Sequence, residues 1–207
     1  MLILFKNNQF RKGSIMKEIV LLLGAYLLGN ILTGYVLATF FYHKNIHNEG
    51  SGNIGARNAG RIFGKKAFVI TFFGDAGKGA IVVLIAKWLE FSIDIQILAL
   101  FFVVLGHIFP ILFHFKGGKG MSTFIGGILA FHPLLFSAFA AVFILFYIIL
   151  KSLTLAGMAA VALLPTIMYF FQFDLYPILF CILLSATVIF AHRQNIRDKI
   201  FSERKIS

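Results

Sequence analysis

The stretch that decides the architecture is residues 95–120, IQILALFFVVLGHIFPILFHFKGGKG. No charged side chain interrupts it until Lys116. A helix needs ~20 apolar residues to cross a ~30 Å hydrocarbon core. This stretch supplies them and then turns abruptly into Lys116-Gly117-Gly118-Lys119-Gly120. Runs of the same kind occur at 19–42, 67–89, 154–173 and 175–191. They are continuous rather than alternating, which argues for membrane helices and against a β-barrel.

Composition agrees. Of the 207 residues 59% are hydrophobic and 13% charged, with a mean hydropathy of +0.90. A soluble globule of this size has too little interior to hide that much apolar surface. A soluble enzyme, a nucleic-acid module and a disordered segment are therefore excluded. The single cysteine, Cys181, lies in an apolar run, so neither a disulfide framework nor a zinc cluster is available. The net charge of +11 points to cytoplasmic loops, anionic lipid or anionic substrates.

Residues 121–150 are apolar but broken at His132-Pro133. Proline removes a backbone donor and restricts its predecessor. We read 121–131 and 134–150 as a short helical hairpin, neither half comfortably spanning a bilayer. The expected fold is an all-α integral membrane protein of about seven transmembrane helical segments, the hairpin at 121–150 included. The basic linker 43–66, the turn 116–120 and the tail from 192 then share one face, opposite Glu90, Asp94 and Asp174. That face should be cytoplasmic, with the N-terminus outside. Met16-Lys17-Glu18-Ile19 reads as a natural start, leaving 1–15 as a mis-assigned or disordered extension and 16–207 as one polytopic domain.

Three polar segments can do chemistry. Glu49-Gly50-Ser51-Gly52-Asn53-Ile54-Gly55-Ala56-Arg57-Asn58-Ala59-Gly60-Arg61 matches G-x-G-x-x-G, but it follows a membrane helix rather than a strand. Its glycines can still turn backbone N–H groups toward an anion; a flexible polar turn is the alternative. The second segment is Gly106-His107-Ile108-Phe109-Pro110 with the lysine–glycine turn 116–120 and Met121-Ser122-Thr123. A helix starting there offers free N–H groups and its positive dipole end, and the lysines add full charge. A basic turn obeying the positive-inside bias, and a core histidine at 107, are the alternatives. The third is His192-Arg193-Gln194-Asn195-Ile196-Arg197, where His192 and Asn195 share a helix face. Arginines there also suit a plain helix cap. Asp75 and Lys78, early in an apolar helix, are costly unless paired and read as a structural pair lining the site. No metal-binding pattern or clustered carboxylate set exists, no cofactor is called for, and no histidine has an aspartate five residues on.

Together these segments resemble the bacterial acyl-phosphate:glycerol-3-phosphate acyltransferases, the PlsY family, over roughly residues 16–207. Ser51-Gly52-Asn53-x-Gly55-Ala56 with Asn58 and Arg61 is similar to the first family motif. Gly106-His107-x-x-Pro110 with Phe115-Lys116-Gly117-Gly118-Lys119-Gly120 is similar to the second, and His192-Arg193-x-Asn195-Ile196 to the third. Asp75-x-x-Lys78-Gly79 is also family-like. Arg57 stands where threonine is usual, Asp198-Lys199 replaces Arg-Leu, and Thr154 to Gly157 occupies a stretch where paired serines are usual.

The resemblance implies transfer of a fatty acyl group from acyl phosphate to the first hydroxyl of glycerol 3-phosphate, giving lysophosphatidic acid and phosphate. It implies that Ser51, Asn53, Gly55, Asn58 and Arg61 orient the acyl phosphate and stabilise developing charge. Lys116, Gly117, Gly118, Lys119 and Gly120, with His107, would bind phosphate; His192 and Asn195 would position the acceptor hydroxyl. The proton acceptor is either His192 or the departing phosphate, whose second pKa in comparable groups is about 6. The expected partners are the two substrates and membrane lipids, not nucleic acid. A monomer in the bacterial cytoplasmic membrane is expected, with other enzymes of phospholipid synthesis as neighbours. Rival readings are an anion transporter, which lacks support from any inverted repeat, and a scaffold for anionic lipids, which has no need of the Asn/Ser/Gly/His content.

Overall fold

The computed structural model describes the backbone of residues 2–203 and the side chains of residues 15–200; Arg204 and Lys205 of the basic tail lie outside the described residues. Among the described residues the apolar runs become helices, because in a bilayer a helix satisfies its own backbone polar groups. In chain order these are α1 Leu2–Gly29, α2 Thr33–Val36, α3 Ala56–Phe63, α4 Lys65–Trp88, α5 Ile93–Ile108, α6 Met121–Phe131, α7 Pro133–Leu150, α8 Leu153–Phe170, α9 Leu175–Ala191 and α10 Arg193–Glu203.

Five stretches are long and apolar enough to cross a membrane: Ile15–Phe41, α4, Ile93–Phe113, α7 and α8. The helix α9 joins them when taken with Arg193–Ile200, against which it is bent by 58°. With the short α6 this makes seven apolar helical segments, as expected. The hairpin at 121–150 needs correction. His132 does end α6, but α7 has 18 residues, ~27 Å of helix at 1.5 Å per residue, and is a span by itself. It reaches that length because both ends are closed locally. Pro133 occupies the first turn and His132 Nδ1 accepts from Leu135 N–H at 3.1 Å, while Lys151 takes a left-handed conformation at the other end. The two halves do not pair mainly with each other either: α6 packs on α4, and α7 on α8.

The centre of the bundle is α5, flanked by α1, α4, α6 and α9. Its span is 61% buried within the protein, against 11% for α7, which faces outward. Close approach is bought with small residues. A side chain on Gly29 would collide with Val103 and Gly106 of α5, and one on Gly126 of α6 with the backbone of Ala76 in α4.

The first apolar run is not one continuous helix. It breaks after Gly29 and resumes at Thr33, continuing as a π-helical turn Leu37–Phe41. The break is held by distant partners. Asn30 Nδ2 donates to Tyr26 O at 2.6 Å, and Asn30 Oδ1 accepts from Leu112 N–H at 3.3 Å. Lys78 Nζ donates to the carbonyls of Gly29 and Ile31 at 3.1 and 2.6 Å. Carbonyls released inside a membrane protein must find such donors.

The two ends of the bundle differ in character. At one end the 116–120 turn meets α10 through Lys119 and Asn195, and α3 meets the start of α8 through Arg57 and Thr154. At the other, Lys87 Nζ donates to Ala130 O at 2.8 Å, and the rings of Phe131 and Phe173 stack at 5.8 Å. The linker, the glycine turn and the tail are thus gathered at one end, away from Glu90 and Asp174.

Candidate active site

The first polar segment is an ordered loop leading into α3. Asn58 is 2% exposed and both ends of its amide are committed to that loop. Its Oδ1 accepts from the Ser51 N–H at 2.9 Å and its Nδ2 donates to Glu49 O at 3.1 Å. Asn58 therefore shapes the backbone that carries Ser51, whose own residue is exposed. Gly55 is the N-cap of α3 and Asn53 is half-buried beside it. Arg61 stands on the last turn of α3, exposed. Arg57, one turn earlier, reaches toward Thr154, with 3.5 Å between Nη1 and Oγ1. Both residues line a polar cleft with Tyr147, Lys151, Ser152 and Lys199.

The second segment lies on α5. The carbonyl of His107 accepts from the Gly118 N–H at 3.0 Å, so the turn folds back over the end of its own helix. Side chains at Gly117 or Gly118 would strike that carbonyl or the imidazole, respectively. Gly120 adopts φ +76° at the N-cap of α6, a conformation that glycine enters without strain. His107, expected among the ligand-binding groups, is 3% exposed and lies beneath the turn. Its Nδ1 is 2.7 Å from Lys78 Nζ. Lys78 and Asp75 form the expected ion pair at 3.1 Å. Lys116 is exposed on the outer side of the turn, whereas Lys119 is half-buried and bonded through Nζ to Asn195 Oδ1.

That bond joins the second segment to the third across 76 positions of sequence. The region read as a tail from 192 is the helix α10, and the 58° bend puts His192 at its junction with α9. His192 Nδ1 lies 2.8 Å from Val188 O, a bond to its own helix that leaves Nε2 as the second functional nitrogen. Arg193 serves as a cap, donating to Phe190 O at 3.0 Å with its guanidinium over the Phe190 ring. Burial of the Lys119 ammonium, together with the charge of Arg57, holds its pKa below the ordinary lysine range, and Asp198 opposes the shift. Arg57, Lys119 and Asp198 thus share one electrostatic environment, although sequence reasoning set Arg57 and Asp198 apart as departures. The cleft residues Tyr147, Lys151 and Ser152 were not singled out. The only signal was a lysine and a serine between two apolar runs.

The arrangement combines a glycine turn carrying a half-buried cation, an Asn-braced loop presenting a serine, and a histidine with one nitrogen committed. It suits a phosphorylated ligand whose reacting atoms lie at the membrane boundary. Among the described residues no cluster of three or more potential metal ligands occurs.

Comparison with known proteins points the same way. The sequence profile of the family described as Glycerol-3-phosphate acyltransferase matches residues 19–201. Glycerol-3-phosphate acyltransferase 1 of a Bacillus cereus strain is 46% identical over 176 residues, covering 85% of this chain and 97% of its own. The Bacillus anthracis protein of the same name is 44% identical over 189 residues, covering 91% and 99%. The fold is similar to the crystal structure of PlsY, an integral membrane glycerol 3-phosphate acyltransferase, in its glycerol 3-phosphate form. The TM-score is 0.82 at 33% identity, over 91% of this chain and 94% of that one. The lysophosphatidic acid form of PlsY gives 0.80 at the same identity.

Proposed function

This chain belongs to the integral-membrane glycerol-3-phosphate acyltransferase family, and from that premise we propose that it acylates the sn-1 hydroxyl of glycerol 3-phosphate with acyl phosphate as donor. The products are lysophosphatidic acid and inorganic phosphate. The observation that carries this reading is the contact between Lys119, on the glycine turn, and Asn195, three residues from His192. It brings the glycine turn next to the helix junction that carries His192, which supports a phosphate cradle beside a group able to take a hydroxyl proton.

Acyl phosphate is an activated mixed anhydride, so no covalent enzyme intermediate is required. The hydroxyl oxygen attacks the acyl carbon, the bond from that carbon to the phosphate oxygen breaks, and phosphate leaves with the electron pair. The chain's part is to align the two substrates and to stabilise charge as it develops. Lys119 and the backbone of 117–120 hold a phosphate. Ser51, on the loop braced by Asn58, orients the donor together with Asn53, Gly55 and Arg61. Asn195 helps to place the acceptor hydroxyl. When Nδ1–H of His192 donates to Val188 O, Nε2 keeps a lone pair. That supports His192 over the departing phosphate as the first proton acceptor.

We place the reaction in residues 16–207, at the cytoplasmic face of the bacterial inner membrane, in a monomer. The gathering of Arg57, Lys116, Lys119, Lys151 and Arg197 at one end supports this orientation. The test is product formation by purified protein offered glycerol 3-phosphate with either acyl phosphate or acyl-CoA. Lysophosphatidic acid and stoichiometric phosphate are expected only with acyl phosphate. Sustained turnover on acyl-CoA alone would overturn the donor assignment, and glycerol 3-phosphate transport without product would restore the transporter reading.

A further inference from the structure

The buried cluster Asp75–Lys78–His107 is not accounted for by packing. Three polar side chains, exposed by only 1%, 5% and 3%, sit between α1, α4 and α5. Such groups are expensive inside a membrane protein. Lys78 Nζ has four acceptors within 3.1 Å: the Gly29 and Ile31 carbonyls, Asp75 Oδ1 and His107 Nδ1. An ammonium has three hydrogens and no lone pair, so one of the three is shared between two of these acceptors. Toward His107 Nδ1 an ammonium can only donate, which places the hydrogen of a neutral ring on Nε2. Asp75 lies beside both partners, 3.1 Å from Lys78 and 3.7 Å from His107, and also accepts from the Thr33 N–H at 3.4 Å. Nε2 is the atom on which Gly118 rests: a side chain at Gly118 would meet it first.

We infer that His107 is a positioning residue for the 116–120 turn, locked in its Nε2–H tautomer by Lys78, and that Asp75 and Lys78 act on substrate affinity through it. The cluster makes the break in α1, the middle of α4 and the end of α5 into one pedestal, with the turn laid across the imidazole. This rests on the reading that the turn binds phosphate. A loop whose underside is fixed needs no ordering when the anion arrives, which is how a buried group that never touches substrate affects affinity.

The experiment has two arms. In the first, nitrogen-15 histidine spectra of the full chain in lipid bilayers report the tautomer, His107 being assigned among the six histidines by subtraction of the His107→Asn spectrum. An Nε2–H ring is expected; an Nδ1–H ring overturns the inference. In the second, KM for each substrate and kcat are measured for His107→Asn, His107→Gln and the charge-neutral pair Asp75→Asn with Lys78→Met. Asparagine keeps an acceptor for Lys78 but has nothing beneath Gly118, so KM for one phosphorylated substrate should rise about tenfold as the turn loses its seat, with a smaller change in kcat. Glutamine places its amide near the position of Nε2, under Gly118, and should recover most of that loss. A histidine that merely fills space would leave the two amides alike, and unchanged KM in both overturns the proposal. The charge-neutral pair should raise KM similarly and mix the tautomers; if it does not fold, the spectrum and the single variants decide. Lys119→Ala is the control for the underlying reading. If it leaves both KM values unchanged, the turn is not the phosphate site, whatever the tautomer.

Discussion

Substituting Gly118 with alanine tests the seat of the glycine turn with the smallest possible change. The added methyl group would be driven into Nε2 of His107 and would lie 3.0 Å from Cδ2 and Cε1 of the ring. Carbon atoms rest at ~3.5–4.0 Å. The ring has nowhere to retreat, because Lys78 holds Nδ1 at 2.7 Å and is itself held by Asp75 and two carbonyls. The turn must lift instead, against the bond from Gly118 N–H to His107 O. Overpacking of this kind costs about 1–3 kcal/mol, and moving a binding group by ~1 Å can cost ~100-fold in rate. We expect Gly118→Ala to lower kcat/KM by about 30- to 100-fold, with only a modest fall in thermal midpoint. Phosphate release from acyl phosphate in the presence of glycerol 3-phosphate measures the first, and detergent melting of purified protein the second. Combining Gly118→Ala with His107→Ala should relieve the clash without restoring the rate, because the seat of the turn is then missing. Gly118→Ala protein within twofold of the parent rate would refute the argument, since the methyl group would then have been accommodated without moving the turn.

Lys119→Ala should raise KM for one phosphorylated substrate and lower kcat/KM about ten- to hundredfold, the worth of a charge-assisted hydrogen bond at ~1.5–3 kcal/mol; steady-state kinetics against each substrate checks this. Ser51→Ala should instead depress kcat with little change in KM, because a neutral hydroxyl acts mainly where charge develops; folded variant protein with normal turnover would reduce that loop to a connector. Asn58→Ala removes the two bonds that shape the loop carrying Ser51, so it should reproduce the Ser51 phenotype and lower the melting midpoint as well, which Ser51→Ala should not. Single cysteines at Asn48, Lys116 and Lys151 should react with an impermeant thiol reagent from the cytoplasmic side only, and those at Glu90 and Gln172 from the opposite side only; all five positions are exposed.

The helices were legible where a long apolar run carries its own evidence, as in α5, α8 and α9. They were misjudged where long-range contacts or end chemistry decide. The His132-Pro133 step signals a break, but it does not say that the second half, with proline in its first turn and a histidine cap, still reaches a full bilayer span. The break at Gly29 is invisible locally, because the groups that make it tolerable, Lys78 and Leu112, are 49 and 82 positions away. The site shows the same division. Glycine and lysine spacing reveals a turn fit for an anion, and motif resemblance names its chemistry. Spacing cannot say that Lys119 meets Asn195, that Arg57 meets Thr154, or that His107 lies under the turn rather than in the open site. A histidine at the end of a helix faces in or out according to a rotation of a few tens of degrees, which the bundle sets.

The shortness of α6 bears on how the protein is made. Eleven residues give ~16 Å of helix, about half the hydrocarbon core. Such a segment gains too little from lipid alone to enter the bilayer as a free span. What it gains comes from α4, whose backbone it meets at Gly126 and whose Lys87 takes up the carbonyl of Ala130 near its C-terminus. Stepwise release of one finished helix after another from the insertion machinery therefore does not suit this chain. We expect the segment to be handed over while α4 is still within reach and α7 is emerging behind it, with the glycine turn drawn into place late.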